Sequence, residues 1–305
     1  MPDGPAARGE AIRQAPLRAP HRMAMGLSLL PDDSTWLQLD TDWVRDLRRK
    51  RRLLSERRAQ VLALTPGSEP AQAEVLEAVG RALLTHHPGR VVREGSVLAV
   101  PELGEWLETS PAPGALERAA SLVQEDLCVL ERGSEAWCLT AACVCFPTRW
   151  DLPSKLGLPL AAIHDPVPGY RERLALSADR FFDALQAGRI AERANWSLVD
   201  SAELFQPLHG NQGHGRHVTP ENAGETVWLR VERQTLRRLP RTGAIMFTIR
   251  VHRDRLGAFV RFPERARLLA EDLRSLPEEL ARYKSLPDLR GPALALLDEM
   301  AGGAR

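Results

Sequence analysis

Alternating polar and apolar positions are the clearest pattern in the sequence, and they lie in residues 228–240. As a β-strand, this segment places Arg230, Glu232 and Gln234 on one face and mainly apolar side chains on the other. Residues 244–251 are strongly apolar and β-prone, so we expect a second strand that pairs with the first across a short turn. Charged side chains in such a strand face water, pair internally or bind a ligand, because unpaired burial is costly.

Helical spacing of apolar residues appears towards both ends of the chain. It predicts helices over residues 36–64 and Ala71–Thr85. Further on, Ser177 is expected to cap a helix that ends at Gly188. After Phe259 the pattern predicts short helices broken by prolines at positions 277, 287 and 292.

The middle of the chain is strand-like. Residues 127–130 and 136–139 predict a hairpin that runs into residues 141–146, and residues 195–199 predict a short strand or turn. Together with the helical ends, these strands indicate an α+β fold with a central antiparallel sheet and flanking N- and C-terminal helices.

Composition suggests three parts of unequal size. Residues 1–25 are rich in Ala, Pro and Arg and lack periodicity, which predicts a disordered tail. We expect the main domain over residues 26–265 and a helical C-terminal extension over residues 266–305.

Net charge and hydropathy limit the classes of partner and the cellular location that we expect. The formal net charge of +1 gives no electrostatic reason to expect nucleic acid. No run of 18 apolar residues is present, so we expect no membrane span. The N-terminal arginines precede no apolar segment typical of a secretory signal, and the expected location is therefore cytoplasmic.

Residues 45–58 carry eight basic residues against two acidic ones. Such a helix either presents a solvated face or forms a docking surface for an acidic electron-transfer partner. The sequence leaves both interpretations open.

The four cysteines lie within eighteen positions and form no Cys-x-x-Cys pair, which argues against a zinc site and predicts reduced, buried thiols. A thiolate ligand to haem at Cys145 is the alternative. Glycine-rich nucleotide-binding motifs and a hydrolase nucleophile motif are absent from the sequence. Any redox chemistry therefore draws its electrons from another chain.

Two groups of histidines are candidates for metal ligation. His164 lies between an apolar run and a Pro-Val-Pro segment, and we expect an extended, rigid loop there because the prolines exclude helix. A restrained histidine suits a metal or haem ligand, and equally a core or capping residue. His209, His214 and His217 are separated by glycines, which favours a solvated loop over a metal site.

Three arginines are candidates for binding a carboxylate or phosphate, namely Arg193, Arg230 and Arg233. The planar guanidinium group matches such anions bidentately, although structural salt bridges would use the same residues. Glu232 pairs either with one of these arginines or with a cationic amine. The sequence alone does not separate these alternatives.

Several sequence blocks, taken together, resemble one known family, the haem-dependent oxidative N-demethylase α subunit. The blocks keep their order over about Gly26 to Phe259. They comprise residues 124–127, 146–150, 155–157, 163–168, 179–182, 193–196, 229–240 and 247–250.

The resemblance implies a PAS-like sheet that holds haem b, where O2 is activated to remove a methyl group from a small secondary amine such as dimethylamine. Formaldehyde is the implied co-product. NADPH, FMN and an iron–sulfur cluster would reside on separate reductase subunits. A haem-binding PAS-type sensor or a non-catalytic subunit is the alternative.

The resemblance also suggests roles for individual residues. It makes His164 the expected axial ligand of the haem iron. The three arginines, Arg193, Arg230 and Arg233, become candidates for contacts to the propionates or the pocket. Glu232 is the candidate for the substrate ammonium group, and Tyr170 is a second candidate for the pocket.

Overall fold

The computed structural model describes residues 9–18, 20–21, 23–110, 113–207 and 214–302. Within them, the chain forms a seven-stranded and a three-stranded antiparallel sheet. Helices precede and follow the long strands along the chain. The predicted α+β class, with its central antiparallel sheet and terminal helices, is confirmed.

The strands are, in chain order, β1 Ser28–Leu29, β2 Leu62–Leu64, β3 Val92–Glu94, β4 Val97–Val100, β5 Glu105–Glu108, β6 Asp126–Arg132, β7 Trp137–Cys143, β8 Ile190–Val199, β9 Trp228–Arg238 and β10 Ile245–Arg255. Strands β3, β4 and β5 form the small sheet. The large sheet has the order β1-β8-β9-β10-β6-β7-β2.

The α-helices are, in chain order, α1 Glu10–Gln14, α2 Trp43–Glu56, α3 Arg58–Val61, α4 Glu69–His86, α5 Ala115–Ala120, α6 Leu160–Ile163, α7 Tyr170–Arg173, α8 Ala175–Ala184, α9 Ala223–Thr226, α10 Pro263–Ser275, α11 Glu278–Tyr283 and α12 Pro287–Gly302. Two 3-10 helices cover Pro101–Leu103 and Leu256–Arg261. None of the helices in the described part of the chain is long and apolar enough to cross a membrane.

The long strands β8, β9 and β10 lie side by side, and their register fixes the two faces of the large sheet. Glu232 pairs with Asn195 on one side, and Gln234 pairs with Arg193. Directly paired residues in antiparallel strands share a face. We call the face that carries Arg193, Glu232 and Gln234 the site face. The predicted alternation of β9 and the predicted hairpin to β10 are confirmed.

The opposite face of the sheet is covered by the chain before α2 and by the main helices. The indole Nε1–H of Trp36 donates to Thr235 Oγ1 at 3.0 Å, and Trp36 is fully buried. Trp36 belongs to the core that includes Leu47 of α2 and Leu83 of α4. This face is therefore a conventional hydrophobic core.

Residues 9–18 differ from the predicted disordered tail. Residues 10–14 form α1, and Ile12 is fully buried. The carboxylate of Asp254 accepts the backbone N–H groups of Gly9 and Ile12 at 2.9 and 3.2 Å. A long-range acceptor of this kind cannot be recognised from local composition. The tail prediction is wrong for these residues, and residues 1–8 lie outside the description.

Several element boundaries also differ from the prediction. The helix expected over residues 36–64 begins only at Trp43, and its last residues form β2, which pairs with β7. Ser177 lies inside α8 instead of capping it. Pro292 lies within α12 and does not interrupt it. Sheet pairing and helix packing override the local signals at these positions.

The C-terminal helices belong to the core of the large sheet. Leu269 and Leu273 of α10 and Leu297 of α12 are fully buried. They form one hydrophobic cluster with Trp196 of β8 and Val231 of β9. The domain boundary predicted at residue 265 falls inside α10, so the helical extension packs as part of the same structure.

Candidate functional site

The centre of the site face is only partly covered. Arg193, Asn195, Glu232, Gln234 and Ile249 are all partly exposed, although they lie on strands in the interior of the sheet order. Many of their neighbours on the opposite face are buried. We call this partly exposed centre of the site face, with its charged and amide side chains, the opening. Convergent polar groups beside apolar surface are typical of ligand sites.

His164 is positioned beside this opening by α6. It is the residue at which α6 ends, and Leu160 of that helix packs with Ala191 and Leu236 of the site face. His164 Nδ1 lies 2.9 Å from the carbonyl oxygen of Leu160. A carbonyl can only accept, so Nδ1 carries the proton and Nε2 presents its lone pair.

The loop after His164 is a tight turn and not the extended segment that was predicted. The N–H of Val167 donates to the carbonyl of His164 at 2.8 Å, and the N–H of Tyr170 donates to Val167 at 3.1 Å. Prolines exclude continuous helix but permit successive turns. As a result, the rings of His164 and Tyr170 stack, with centroids 4.4 Å apart and an interplanar angle of 11°.

The electrostatics of the opening favour a neutral imidazole. Burial lowers the pKa of His164, and the nearby cations Arg193 and Lys155 lower it further, while the bond to Leu160 opposes these effects. A neutral imidazole with a free Nε2 is the form that ligates metals.

Tyr170 remains protonated throughout the physiological range. Burial raises the pKa of its hydroxyl to about 12, Asp179 adds to the shift and Arg193 opposes it. The hydroxyl can therefore donate as well as accept a hydrogen bond. The electrostatic influence of Arg193 on both Tyr170 and His164 places the three side chains in one cluster.

Arg193 is the predicted arginine that the structure places in this cluster with donor capacity left. Burial lowers the pKa of its guanidinium, and Glu232 and Tyr170 oppose that shift. Among the described residues, its buried Nε has no hydrogen-bond partner. An unpaired buried N–H is costly, and an anionic ligand would satisfy it.

Glu232 lies on the same face and is oriented by two neutral donors. Its Oε1 accepts the hydroxyl of Thr148 at 2.5 Å, and its Oε2 accepts the amide of Gln234 at 3.1 Å. An ionised carboxylate offers about four acceptor positions, so it can still bind a cation.

Arg230 lies on the site face but is fully engaged by protein. It is 1% exposed. Its Nε donates to Thr148, and its two terminal nitrogens donate to the carbonyl groups of Phe146, Pro147, Glu203 and Leu204. The two chain segments that contain these carbonyl groups cover Arg230. The alternation along β9 does not predict this cover. Each guanidinium nitrogen of Arg230 therefore already donates to the protein.

Arg233 lies on the opposite face and does not join the cluster. Its Nε pairs with Glu192, and its terminal nitrogens donate to the carbonyl groups of Trp36 and Thr35 at 2.9 and 2.8 Å. The two-residue period of the strand separates Arg233 from Glu232.

Sequence reasoning missed Lys284, which reaches the site from the end of α11. Its Nζ donates to Asn195 Oδ1 at 3.1 Å and to the carbonyl of Trp196 at 2.6 Å. Burial lowers the pKa of Lys284 to about 8, an effect that Glu232 opposes. The predicted domain boundary placed residues 266–305 outside the main domain. No local sequence pattern indicates that Lys284 returns to the sheet.

The other predicted candidates do not form metal sites. His214 Nδ1 lies 3.1 Å from Asp200 Oδ1, whereas His209 lies outside the described residues. In the described part of the chain, no three His, Cys, Asp or Glu side chains come together as metal ligands. The four cysteines are free thiols, and three of them are buried as predicted, whereas Cys138 is partly exposed. Cys145 is fully buried in the opposite core, which argues against it as a haem ligand.

Most basic residues of α2 contact other groups of the same protein. Lys50 is fully buried and donates to the carbonyl of Val123 at 3.1 Å. Arg51 pairs with Glu105 at 2.6 Å, and Arg49 lies 3.6 Å from Asp46. These contacts favour the structural interpretation of the stretch over a docking surface.

Two concavities, of about 470 and 340 Å³, lie elsewhere. The first lies between α4 and the small sheet, and the second lies beside Trp137 and Arg238. Neither is lined by His164 or Glu232. Neither concavity is lined by a histidine or a cysteine, so we place the functional site on the site face.

The residues of the site face fit haem. The porphyrin itself supplies four nitrogen ligands, so one imidazole with a free Nε2 is sufficient to anchor the iron. Ile163, Phe247 and Ile249 offer partly buried apolar surface for the ring. Arg193 offers a free N–H for a propionate.

A family model described as haem-dependent oxidative N-demethylase, alpha subunit-like, matches residues 28–294 of the 305-residue chain. The chain therefore belongs to this family, and the resemblance drawn from the sequence blocks is confirmed. The name of the family indicates a haem-dependent oxidoreductase, and the words alpha subunit indicate an enzyme with further subunits.

Proposed function

We propose that this protein holds haem b on the site face of a PAS-like sheet and is the oxygen-activating subunit of an amine monooxygenase. Its substrate is a small secondary amine such as dimethylamine, from which one methyl group leaves as formaldehyde. Membership of the N-demethylase family supports the reaction class. The observation that carries the proposal is the geometry of His164, whose Nδ1 is bound to the carbonyl of Leu160 while its Nε2 has no hydrogen-bond partner among the described residues.

His164 is the proposed axial ligand. The hydrogen bond from Nδ1 to the carbonyl of Leu160 fixes the tautomer and the orientation of the ring. Stacking on Tyr170 limits rotation of the imidazole. Haem, when bound, supplies the oxygen chemistry, and the protein supplies ligation, orientation and charge.

Glu232 is the proposed acceptor for the ammonium group of the substrate. A secondary amine is protonated near neutral pH and has two N–H donors. Thr148 and Gln234 hold the carboxylate from two sides, which fixes the direction in which it can accept a further donor. Tyr170 supplies a protonated hydroxyl to the same pocket.

Arg193 is the proposed contact to a haem propionate, because it combines burial with an unpaired Nε. Arg230 is proposed to act on the ammonium site indirectly. It donates to Thr148, and Thr148 donates to Glu232. Arg233 acts on the opposite face, where it ties the chain around Trp36 to the sheet.

Electrons are proposed to reach the site from NADPH through reductase subunits that carry FMN and an iron–sulfur cluster. The name of the family supports the presence of other subunits, and the chain lacks the glycine-rich motifs that bind nucleotides. We further propose a cytoplasmic location, where NADPH is available, and no nucleic-acid or membrane partner.

The test is a visible spectrum of the haem-loaded protein before and after addition of dimethylamine, followed by O2 consumption with an electron donor. A Soret band that shifts with the amine, together with amine-dependent O2 consumption and formaldehyde release, supports the proposal. A haem protein whose spectrum and O2 consumption ignore amines would instead be a PAS-type sensor or a non-catalytic subunit.

A further inference from the structure

Arg149 lies in the sequence block 146–150, but the proposed function gives this charged residue no role. It follows Thr148, the residue that donates to Glu232. Its backbone has a φ of 51°, in the left-handed region that side chains with a Cβ rarely adopt. Such strain tends to occur where a side chain is held in place for a function.

The guanidinium of Arg149 is fixed on one side and unpaired on the other. Its Nη1 donates to the carbonyl of Lys284 at 2.6 Å. Its Nε and Nη2 are buried and have no hydrogen-bond partner among the described residues. These two nitrogens form one edge of the guanidinium plane, and that edge matches both oxygens of a carboxylate.

Within the part of the chain that the structure describes, no carboxylate fills this position. Burial lowers the pKa of Arg149, and Asp200 is the acidic group that opposes the shift. Asp200 accepts from His214 at 3.1 Å and from the N–H of Gly215 at 2.8 Å, and among the described residues it forms no hydrogen bond with the unpaired nitrogens of Arg149. The unpaired edge of Arg149 therefore lacks a counter-charge in direct contact.

The surroundings of Arg149 are rich in positive charge. Arg149 lowers the pKa of both Arg230 and Lys284, and Arg193 also lowers that of Lys284. Glu232 is the acidic group that most strongly opposes the lowered pKa values of Arg193, Arg230 and Lys284. For Arg149 the opposing acidic group is Asp200. A cation-rich group of this kind is stabilised by binding an additional anion.

We propose that Arg149 anchors a carboxylate-binding subsite next to Glu232. The inference rests on the proposed function, and it extends the class of ligand. An N-methylated amino acid would place its secondary ammonium group at Glu232 and its carboxylate at Arg149. The other source of the same chemistry is a propionate of haem.

The turn between α11 and α12 holds the paired side of the Arg149 guanidinium. The carbonyl of Lys284 covers Arg149, and the next residue, Ser285, has a φ of 54°. The preceding residue, Tyr283, is 46% exposed. Both unpaired nitrogens are closed to solvent, so ligand entry requires a local movement of the chain.

The test compares Arg149→Met and Arg149→Lys with the control Arg267→Met. Arg267 is an exposed arginine of α10, paired with Glu264 and Glu271, and lies outside the site. For each haem-loaded protein, the affinities for N-methylglycine and for dimethylamine are measured from the Soret shift. The affinity for haem is measured separately by titration of the apoprotein.

A carboxylate of the substrate predicts that Arg149→Met weakens N-methylglycine binding by at least about tenfold, the loss of one charge-assisted contact, while dimethylamine binding and haem affinity are unchanged. A haem propionate predicts a loss of haem affinity of similar size. Arg149→Lys keeps the charge without the paired edge and is expected to recover only part of either loss. Values equal to those of Arg267→Met in every titration would overturn the subsite.

Failure of the proposed function would be seen separately, as a wild-type protein that takes up no haem. In that case the thermal midpoint of unfolding is measured with and without N-methylglycine. A rise in the midpoint that Arg149→Met abolishes still supports the carboxylate subsite, because ligand that binds the folded state stabilises it. An unchanged midpoint in the wild-type protein overturns it.

Discussion

At the scale of single residues, three arginines with similar sequence surroundings have different functions. Arg230 donates to backbone carbonyl groups, and Arg233 lies on the opposite face of the sheet. Arg193 keeps a buried Nε–H with no hydrogen-bond partner among the described residues. Alternation along β9 predicts which face a side chain occupies. It does not predict which chain segments fold over that face, and that is what distinguishes Arg230 from Arg193.

Replacement of Glu232 by Gln tests the ammonium site directly. The substitution keeps the shape and removes the charge, so we expect the affinity for dimethylamine to fall by about tenfold or more. The measurement is the amine-induced Soret shift of the haem-loaded protein. Glu264→Gln, at an exposed position of α10, is the matched control. Unchanged affinity in Glu232→Gln would make the glutamate an ion-pair partner only.

At the scale of elements, the segment after β7 organises the site. Thr148 joins Arg230 to Glu232, and Arg149 is held by the carbonyl of Lys284. The sequence correctly predicted the hairpin of β6 and β7 and that of β9 and β10, because alternation and turn residues are local signals. It could not predict this crossing segment, because its contacts join residues more than eighty positions apart.

Thr148→Val tests the role of the crossing segment. Valine has the same shape but cannot bridge Arg230 and Glu232, so we expect weaker binding of amines, unchanged haem content, and a loss of about 1–3 kcal/mol in the free energy of unfolding. Urea denaturation and amine titration measure the two effects. Thr148→Ser keeps the hydroxyl and should restore both. Amine binding by Thr148→Val at wild-type affinity would show that Glu232 needs no support.

At the scale of the whole molecule, the C-terminal helices complete both the core and the site. Leu269 of α10 packs with Trp196, and Lys284 donates to Asn195. The predicted boundary at residue 265 followed from a change in local pattern, the run of proline-broken helices. Lys284 and Asn195 are 89 positions apart in the sequence, and a contact over such a distance leaves no local pattern. The same applies to the contact of Ile12 with Asp254.

Leu269→Ala measures how far the C-terminal helices contribute to the domain. Leu269 is fully buried, so we expect a loss of about 2–5 kcal/mol in the free energy of unfolding, from lost transfer energy and a new cavity. Leu176→Ala, at a position that is 63% exposed, is the control and should change little. Two separate transitions, of which Leu269→Ala shifts only one, would indicate an independent C-terminal extension.

The central claim is that His164 binds the haem iron, and the most direct measurement is the haem stoichiometry of His164→Ala after reconstitution. We expect the variant to lose its Soret band while its far-ultraviolet circular dichroism remains that of the wild type, because the imidazole lies beside the core and not within it. His217→Ala, at an exposed histidine, should retain haem. Stoichiometric haem with an unchanged Soret band in His164→Ala would contradict the account.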